Sequence, residues 1–464
     1  MLFNSYIFLF VFLPIAYVVF WSLHTAQTRY VWLAVTGYVF YSYWDPRFCL
    51  LMFFSTAVSF LAGLGFLRYH GPRARRLCLV VPITVDLLLL GFFKYANFGL
   101  RSVEGAAHWF GADPRLPVLD IVLPVGISFY TFHTISYIID SYRGTIKPTR
   151  NPFEFMAYVS LFSQLVAGPI VRFRQIEEDL ESLGTASRTR WLRLGISFFI
   201  VGLVEKVLVA DSLAAFVNPA LSHYQDISSS ATWLASLGYT YQLYFDFCGY
   251  SDMAVGLGYL FGLRIPQNFN SPYKAVDPSD FWRRWHISLS TCLRDYLYIP
   301  LGGSRGSAWF TARNLLITML IGGLWHGANW TFVFWGAYHG LLLVLYRIFS
   351  SQWDALPALI RRGATFLLVV IGWVFFRATD FEMALTMLRK MFAPATAVGI
   401  RDAGVFAGII GIAACWSMVG PNTFEMHARF RWRRRYALIM SIAFGACLAM
   451  MASDRNSPFL YFQF

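Results

Sequence analysis

The chain has 464 residues, of which 57% are hydrophobic and only 14% are charged, and its formal net charge is +13. A soluble domain usually carries about 25% charged residues, so this composition excludes an ordinary soluble protein. The basic residues form short clusters instead of one long tail, which indicates membrane topology and not nucleic-acid binding.

Apolar runs of membrane-spanning length recur along the whole chain. A helix needs about 20 apolar residues to cross the hydrocarbon core, and these runs are continuous instead of alternating. We therefore predict an all-α polytopic membrane protein. The candidate spans, in chain order, are 2–23, 30–44, 47–67, 77–94, 118–139, 152–171, 194–217, 231–249, 313–330, 331–348, 363–378, 404–421 and 436–453. The sequence allows two interpretations of 313–348, either two spans or one deep hairpin.

Basic clusters set the predicted orientation of the spans, because Lys and Arg accumulate in cytoplasmic loops. The cluster 70–76 follows three crossings, which places the N-terminus outside, and the basic segments 264–313 and 429–435 are predicted to be cytoplasmic. The run 152–171 has basic loops on both sides and contains Gly168-Pro169. We therefore predict a re-entrant or broken helix there.

The segment YFDFCGYSDMAVGLG, residues 244–258, places two carboxylates in an apolar, glycine-rich context. A buried carboxylate needs a partner, and the basic residues of the following polar segment could supply one. Structural ion pairing is therefore the favoured interpretation for Asp246 and Asp252.

The segment DPSDFWRRWHISLSTCLRDYLYIPLGG, residues 277–303, reads as one amphipathic helix over 278–299. Asp277 is a suitable N-cap, and Pro278 suits the first helical position. At about 100° per residue, the helix has an apolar face and beside it a narrow polar stripe. The apolar face comprises Trp282, Trp285, Leu289, Leu293 and Tyr296, and the stripe comprises Arg283, His286, Ser290 and Arg294. Such a helix is predicted to lie at the cytoplasmic interface.

Two interpretations stay open for the arginines of this stripe. They either meet lipid phosphates or hold an anionic donor such as a nucleotide phosphate. In the second case, Arg283, His286 and Arg294 line a polar entrance.

The segment GGLWHGANWTFVFWGAYHG, residues 322–340, places His326 among tryptophans and glycines in an apolar run. Ionisable side chains inside a bilayer are costly and often mark an active site or a pathway. A neutral imidazole is cheaper there than a carboxylate and suits a general base. The alternative, a packing histidine capped by a backbone carbonyl, stays open. His339 lies thirteen residues further on, nearly on the opposite side of one helix, and is interpreted as structural.

Several kinds of site have no recognisable motif. HExxH, a His/Cys cluster and a carboxylate cage are absent from the sequence, so we predict no metal. Walker and GxGxxG loops are also absent, as is the GxSxG elbow of serine hydrolases. The remaining candidate is a membrane-embedded, aromatic-lined site with one or two histidines.

The segments FWRRWHISLSTCLRDYLYIPLGG and GGLWHGANWTFVFWGAYHG, in this order, resemble the membrane-bound O-acyltransferase family, and within it the bacterial branch of alginate O-acetyltransferases. Further matching segments are MLFNSYIFLFVFLP, LPVGISFYTFHTISYIIDSYRG, LVAGPIVR, YFDFCGYSDMAVGLG and PFLYFQF. The resemblance implies a ring of about 11–13 transmembrane helices, with re-entrant and interfacial helices, around a central funnel. It implies one membrane-embedded domain over 1–464, with N-terminal helices in 1–150, a catalytic core in 151–349 and C-terminal helices in 350–464.

The resemblance also implies that His326 is the catalytic histidine and His286 the second functional histidine. The candidate donor- or acceptor-binding residues are Arg283, Trp285, Arg294, Trp325, Asn329, Tyr244 and Asp246. His326 would act as a general base on the acceptor hydroxyl or would carry the acyl group itself.

For the protein as a whole, the resemblance implies a bacterial inner-membrane enzyme without a bound cofactor. It would take an acetyl group from a cytoplasmic thioester such as acetyl-CoA and pass it across the membrane. Periplasmic acetyltransferase partners, of the SGNH-hydrolase type, would then modify a polysaccharide such as alginate or cellulose. Relatives act on peptidoglycan or, with D-alanine, on teichoic acid.

Two other functions stay open from the residues alone. A transporter or flippase of acyl donors or glycans would use His326 in gating, but the paired broken helices of inverted repeats are not found. A lipid O-acyltransferase of the same fold would accept long acyl chains.

Overall fold

The computed structural model describes residues 1–166, 168–394, 398–428, 433–453 and 459–460, with residue 190 described by its backbone alone. Within these ranges the regular secondary structure is helical, apart from one isolated parallel bridge between Ile227 and Val398. The predicted all-α fold class is confirmed.

Five of the described helices are long and apolar enough to cross a membrane. They are Arg47–Arg68, Pro72–Trp109, Trp330–Ile348, Ala358–Arg377 and Arg434–Met451, and two shorter apolar helices are Phe8–Ser22 and Ala403–Met418. These helices agree with a multi-pass membrane protein. The total of about 11–13 spans stays a prediction.

The chain forms two compact units, the first of which comprises residues 1–192 and 258–265. Its helices are Phe8–Phe12, Leu13–Ser22, Ala26–Ser42, Arg47–Arg68, Pro72–Leu90, Gly91–Tyr95, Ala96–Trp109, Ile127–Arg143, Pro152–Val159, Phe173–Glu181 and Ser182–Thr185. The span predicted over 118–139 becomes helical only at Ile127, which follows Gly126 in a left-handed conformation (φ 78°). A side chain at Gly126 would overlap the carbonyl oxygen of Leu165, so this helix start requires glycine.

Among the described residues of 152–171, the helix covers only Pro152–Val159. The helix therefore ends ahead of Gly168-Pro169, the break that the sequence predicts. The next residues are buried, and side chains bind the backbone groups that the helix would have used. Gln164 Nε2 donates to the carbonyl oxygen of Tyr158 at 2.7 Å. The broken helix is confirmed, whereas its re-entry into a membrane stays a prediction.

The second unit comprises residues 193–257 and 266–464. Its helices, each given whole, are Arg188–Leu203, Val204–Ala210, Asp211–Ser222, Ser229–Leu260, Pro272–Lys274, Pro278–Arg284, Ile287–Leu293, Arg294–Tyr298, Ala308–His326, Trp330–Ile348, Ser350–Asp354, Ala358–Arg377, Phe381–Phe392, Ala403–Met418, Thr423–Ala428 and Arg434–Met451. One membrane-embedded domain with regions that end at residues 150 and 349 stays a prediction.

The region 278–299 consists of three helical segments, and the prediction of one continuous amphipathic helix is wrong. Its start is as predicted, because Asp277 accepts a hydrogen bond from the Asp280 amide at 2.6 Å and Pro278 takes the first turn. The helix breaks at Trp285 and His286, where His286 adopts a left-handed conformation with φ 43° and ψ 55°. This conformation is uncommon for a residue with a Cβ, and apolar periodicity does not reveal it.

The region 313–348 consists of two helices joined by a short turn, Ala308–His326 and Trp330–Ile348. Side chains at Gly323 and Gly336 would overlap the carbonyl oxygens of Phe332 and Met319, respectively. Small residues at both positions therefore let the two backbones pack closely, as they do between membrane helices. The turn holds His326 at the end of the first helix.

Candidate active site

His326 is the last residue of helix Ala308–His326, and only 4% of it is exposed. Three aromatic rings surround its imidazole, with centroid distances of 5.0 Å to Trp325, 5.2 Å to Trp335 and 5.3 Å to Phe376. The rings of Trp335 and His326 are perpendicular. We call these three residues the aromatic cage. Phe376 belongs to helix Ala358–Arg377. It is far from His326 in the chain, so the sequence does not predict this contact.

His286 is fully buried, and its ring centroid lies 6.3 Å from that of His326. It also contacts Phe247 at 4.7 Å and Trp325 at 6.1 Å between ring centroids. At this separation, one substrate atom can lie within hydrogen-bond reach of both imidazoles. The structure thus brings together the two histidines and the tryptophan that the sequence analysis singled out.

Asn268, which the sequence analysis missed, holds His286 in place. Asn268 Oδ1 lies 3.1 Å from His286 Nδ1, and the same oxygen accepts from the amide of Ser288 at 3.2 Å. Burial lowers the pKa of His286, which lies between two short helices, so the ring is neutral near pH 7. Asn268 belongs to the polar stretch PQNFNSPYK, whose composition indicates only a loop.

The predicted arginines are exposed, whereas the imidazole of His286 is buried. Arg283 is exposed and pairs with Asp280 at 3.6 Å, while Arg294 is exposed and pairs with Asp295 at 2.7 Å. The backbone break rotates His286 into the protein, so a single polar stripe containing all three residues is wrong. Binding of a donor by these arginines stays a prediction.

Trp285 and Tyr244 belong to a buried aromatic cluster. The Trp285 ring lies 4.8 Å from Trp373 and 5.0 Å from Phe269, and the Tyr244 ring lies 5.2 Å from Tyr273. These contacts give Trp285 and Tyr244 a packing role in the cluster. Their predicted part in binding the donor or acceptor is not tested by this geometry.

Asn329 uses both ends of its amide to hold the backbone. Its Oδ1 accepts from the Thr331 amide at 3.1 Å, and its Nδ2 donates to the Thr379 carbonyl oxygen at 2.8 Å. It is the N-cap of helix Trp330–Ile348 and fixes the turn that follows His326. A role in substrate binding stays a prediction.

Asp246 is ion-paired as predicted, but with a different partner. Lys206 Nζ lies 2.5 Å from Asp246 and 2.8 Å from Asp211, and all three side chains are buried. The amide of Leu460 also donates to Asp246 at 2.9 Å. Pairing with the basic residues of 278–299 is therefore wrong, because a lysine forty positions earlier in the sequence occupies the site.

Asp252 lies in a cluster that sequence spacing does not reveal. Carboxylate oxygens of Asp252 and Glu205 and the thiol of Cys248 lie within 4.8 Å of one another, and all three residues are buried. Within the described part of the chain, the arginines of 278–299 pair with Asp277, Asp280 and Asp295 and not with Asp252, so the predicted pairing with these basic residues is wrong. This ligand set is of a kind that can hold a metal ion, and the absence of a metal stays a prediction.

His339 belongs to the second helix of the pair and not to the helix of His326, so the predicted placement on one helix is wrong. It is buried, with its ring 4.9 Å from Trp335 and 5.2 Å from Trp282. Trp335 therefore contacts His326 and His339. These contacts agree with a packing role for His339.

A model of the membrane-bound O-acyltransferase family matches residues 147–377, the part of the chain that contains the histidine pair. The chain is similar to a probable alginate O-acetylase of Azotobacter vinelandii, with 46% identity over 401 residues that cover 85% of this chain and 78% of that protein. It is 40% identical to a probable alginate O-acetylase of Pseudomonas putida over the whole of both chains. It is 35% identical to a peptidoglycan O-acetyltransferase of Helicobacter pylori, with coverage of 99% and 90%.

Proposed function

The chain belongs to the membrane-bound O-acyltransferase family, and from this premise we propose that it takes an acetyl group from a cytoplasmic thioester such as acetyl-CoA and delivers it for O-acetylation of a polysaccharide outside the cytoplasm. Relatives named for the O-acetylation of alginate and of peptidoglycan support the acetyl group and the polymer class. The observation that carries the proposal is the pair His286 and His326, 6.3 Å apart beside the aromatic cage.

His326 is the proposed general base. It takes the proton of the acceptor hydroxyl while the hydroxyl oxygen attacks the thioester carbonyl carbon. The carbon–sulfur bond then breaks, and the proton passes to the departing thiolate, so an ester and a thiol are the products. General-base assistance typically contributes about 10²–10⁴-fold, and fixing both reactants in a buried site supplies much of the rest. Transient acylation of His326 itself is the alternative route to the same products.

The neighbouring residues have proposed binding roles. His286 orients the reacting group from the other side of the site, and Trp325, which contacts both imidazoles, limits its position. Arg283 lies on the helical segment before His286 and Arg294 begins the second segment after it, and both present exposed guanidinium groups. Such groups suit the phosphates of a coenzyme A donor.

The proposed location is the bacterial inner membrane, with the basic region 264–313 in the cytoplasm. In that orientation, the donor arrives on the basic side and the acetyl group leaves toward the periplasm. A periplasmic acetyltransferase of the SGNH-hydrolase type is the proposed partner that completes transfer to alginate or a similar polysaccharide.

The test is thioester cleavage by the purified protein in liposomes, supplied with labelled acetyl-CoA, the periplasmic acetyltransferase and an acceptor polysaccharide. We expect acceptor-dependent release of coenzyme A from the wild type and its loss in His326→Gln. A transporter would move the donor and leave the thioester intact.

His339→Gln is the matched control, because both histidines are buried against Trp335 and both substitutions disturb that packing. We expect His339→Gln to keep most of the wild-type activity per folded molecule. Wild-type turnover by the His326 variant would refute the assignment of the base.

A further inference from the structure

We propose that Asn268 is a positioning residue that fixes the proton of His286 on Nδ1 and thereby makes Nε2 the nitrogen that accepts a hydrogen bond from the substrate. The proposal rests on the function proposed above for His286. It assigns to His286 a second hydroxyl of the acceptor sugar, beside the one whose proton His326 takes, and not the carbonyl of the donor, because a carbonyl oxygen would need an N–H at the same nitrogen.

The orientation of the Asn268 amide follows from its neighbours. The backbone amide of Ser288 can only donate, so the Asn268 atom 3.2 Å from it is the oxygen Oδ1. The Nδ2 group then donates to the hydroxyl of Ser251 at 3.1 Å, on helix Ser229–Leu260. A flipped amide would place two donors against each other at Ser288. The Asn268 side chain is therefore held at both ends in a buried site.

The position of the His286 proton follows from the amide orientation. His286 Nδ1 lies 3.1 Å from Asn268 Oδ1, a distance at which an unprotonated nitrogen and a carbonyl oxygen would repel each other. Ser288 Oγ lies 3.4 Å from Nδ1 but only 2.8 Å from Oδ1, so its single proton goes to the amide oxygen. A neutral imidazole has one N–H, and here it is on Nδ1.

Asn268 also holds the backbone on which the ring is mounted. His286 is in the left-handed region, which carries a conformational cost for a residue with a Cβ. The Ile287 amide donates to the Asn268 carbonyl oxygen at 2.8 Å, and the Ser288 amide donates to Oδ1. These are the first two amides of helix Ile287–Leu293, which have no acceptor within their own helix. One loop residue therefore fixes the break, the ring orientation and the tautomer.

The first test is the tautomer of His286, read by nitrogen NMR of histidine-labelled protein, with the His286 signals assigned from their absence in His286→Gln. We expect the Nδ1–H tautomer in the wild type. Asn268→Asp keeps an oxygen acceptor and should keep that proton, whereas Asn268→Leu should lose the preference. A wild-type spectrum with the proton on Nε2 overturns the proposal. If Asn268→Leu does not fold, the wild type and Asn268→Asp still decide it.

The second test is acetyl transfer. Asn268→Leu should lower kcat by about 10–100-fold with a smaller change in the KM for the donor, by analogy with the partners that orient metal-bound histidines. Asn270→Leu is the matched control in the same loop, since its side-chain oxygen accepts from Asn422 and does not bind His286. Equal losses in both variants contradict a specific role for Asn268. A wild type with the expected tautomer but no thioester cleavage would overturn the proposed function and leave the positioning role standing.

Discussion

The buried charges around Lys206 allow a prediction with a definite magnitude. At an effective dielectric constant of about 20, unit charges separated by 2.5 Å and 2.8 Å attract by about 7 and 6 kcal/mol, respectively. The cost of burying the charges offsets much of this attraction. Removing one member of a buried pair still costs about 3–5 kcal/mol, because its partners stay buried without compensation. We therefore expect Lys206→Met to lower the free energy of unfolding by about 3–5 kcal/mol.

The triple variant Lys206→Met, Asp211→Asn, Asp246→Asn separates charge compensation from packing. It retains similar side-chain volumes and none of the three charges, so we expect it to be more stable than Lys206→Met alone. The assay is unfolding of the purified protein in mixed micelles with increasing sodium dodecyl sulfate. Glu205→Gln is the control, since it changes the adjacent residue, which has no cation partner within the described chain.

Two results would refute this reasoning. Lys206→Met alone could cost less than about 1 kcal/mol, the level of an exposed pair. Alternatively, the triple variant could be less stable than the single one. The first would mean that water or another group compensates the two carboxylates, and the second would mean that the set is held by hydrogen-bond geometry instead of charge.

Two further predictions concern the helix pair and the donor. Gly336→Val should abolish folded, monodisperse protein in size-exclusion chromatography, because its side chain would overlap the Met319 carbonyl oxygen, while Gly363→Val, at a position with open space, should be tolerated. Arg283→Ala combined with Arg294→Ala should raise the KM for acetyl-CoA with little change in kcat, and an unchanged KM would leave these exposed arginines to the lipid phosphates.

Features that depend on a few neighbouring residues were predicted correctly from the sequence. The cap formed by Asp277 and Pro278 depends on a few consecutive residues, and the structure contains it. The glycines noted around His326 include Gly323, one of the positions at which the two helices approach closely. The aromatic surroundings of His326 were also partly visible, because Trp325 adjoins it in the chain.

Contacts between distant parts of the chain were not predictable in the same way. Helical periodicity shows which residues face a core, but the left-handed conformation of His286 depends on hydrogen bonds that Asn268, eighteen positions earlier, accepts. The prediction of the ion-pair partner of Asp246 was wrong for a similar reason. The sequence analysis chose the arginines of the following segment as the cations that pair with Asp246. In the fold, the cation is Lys206, which lies on another helix.

Burial alone does not distinguish a functional histidine here, because His326 and His339 are both buried and both contact Trp335. The difference lies in the remaining neighbours. His326 has a second imidazole 6.3 Å away, whereas His339 packs among tryptophan, tyrosine and phenylalanine rings. A thioester in water can be lost to hydrolysis, so a transferase gains from a base with little exposed surface. The aromatic cage leaves His326 4% exposed, which meets that requirement beside a second imidazole able to orient the acceptor.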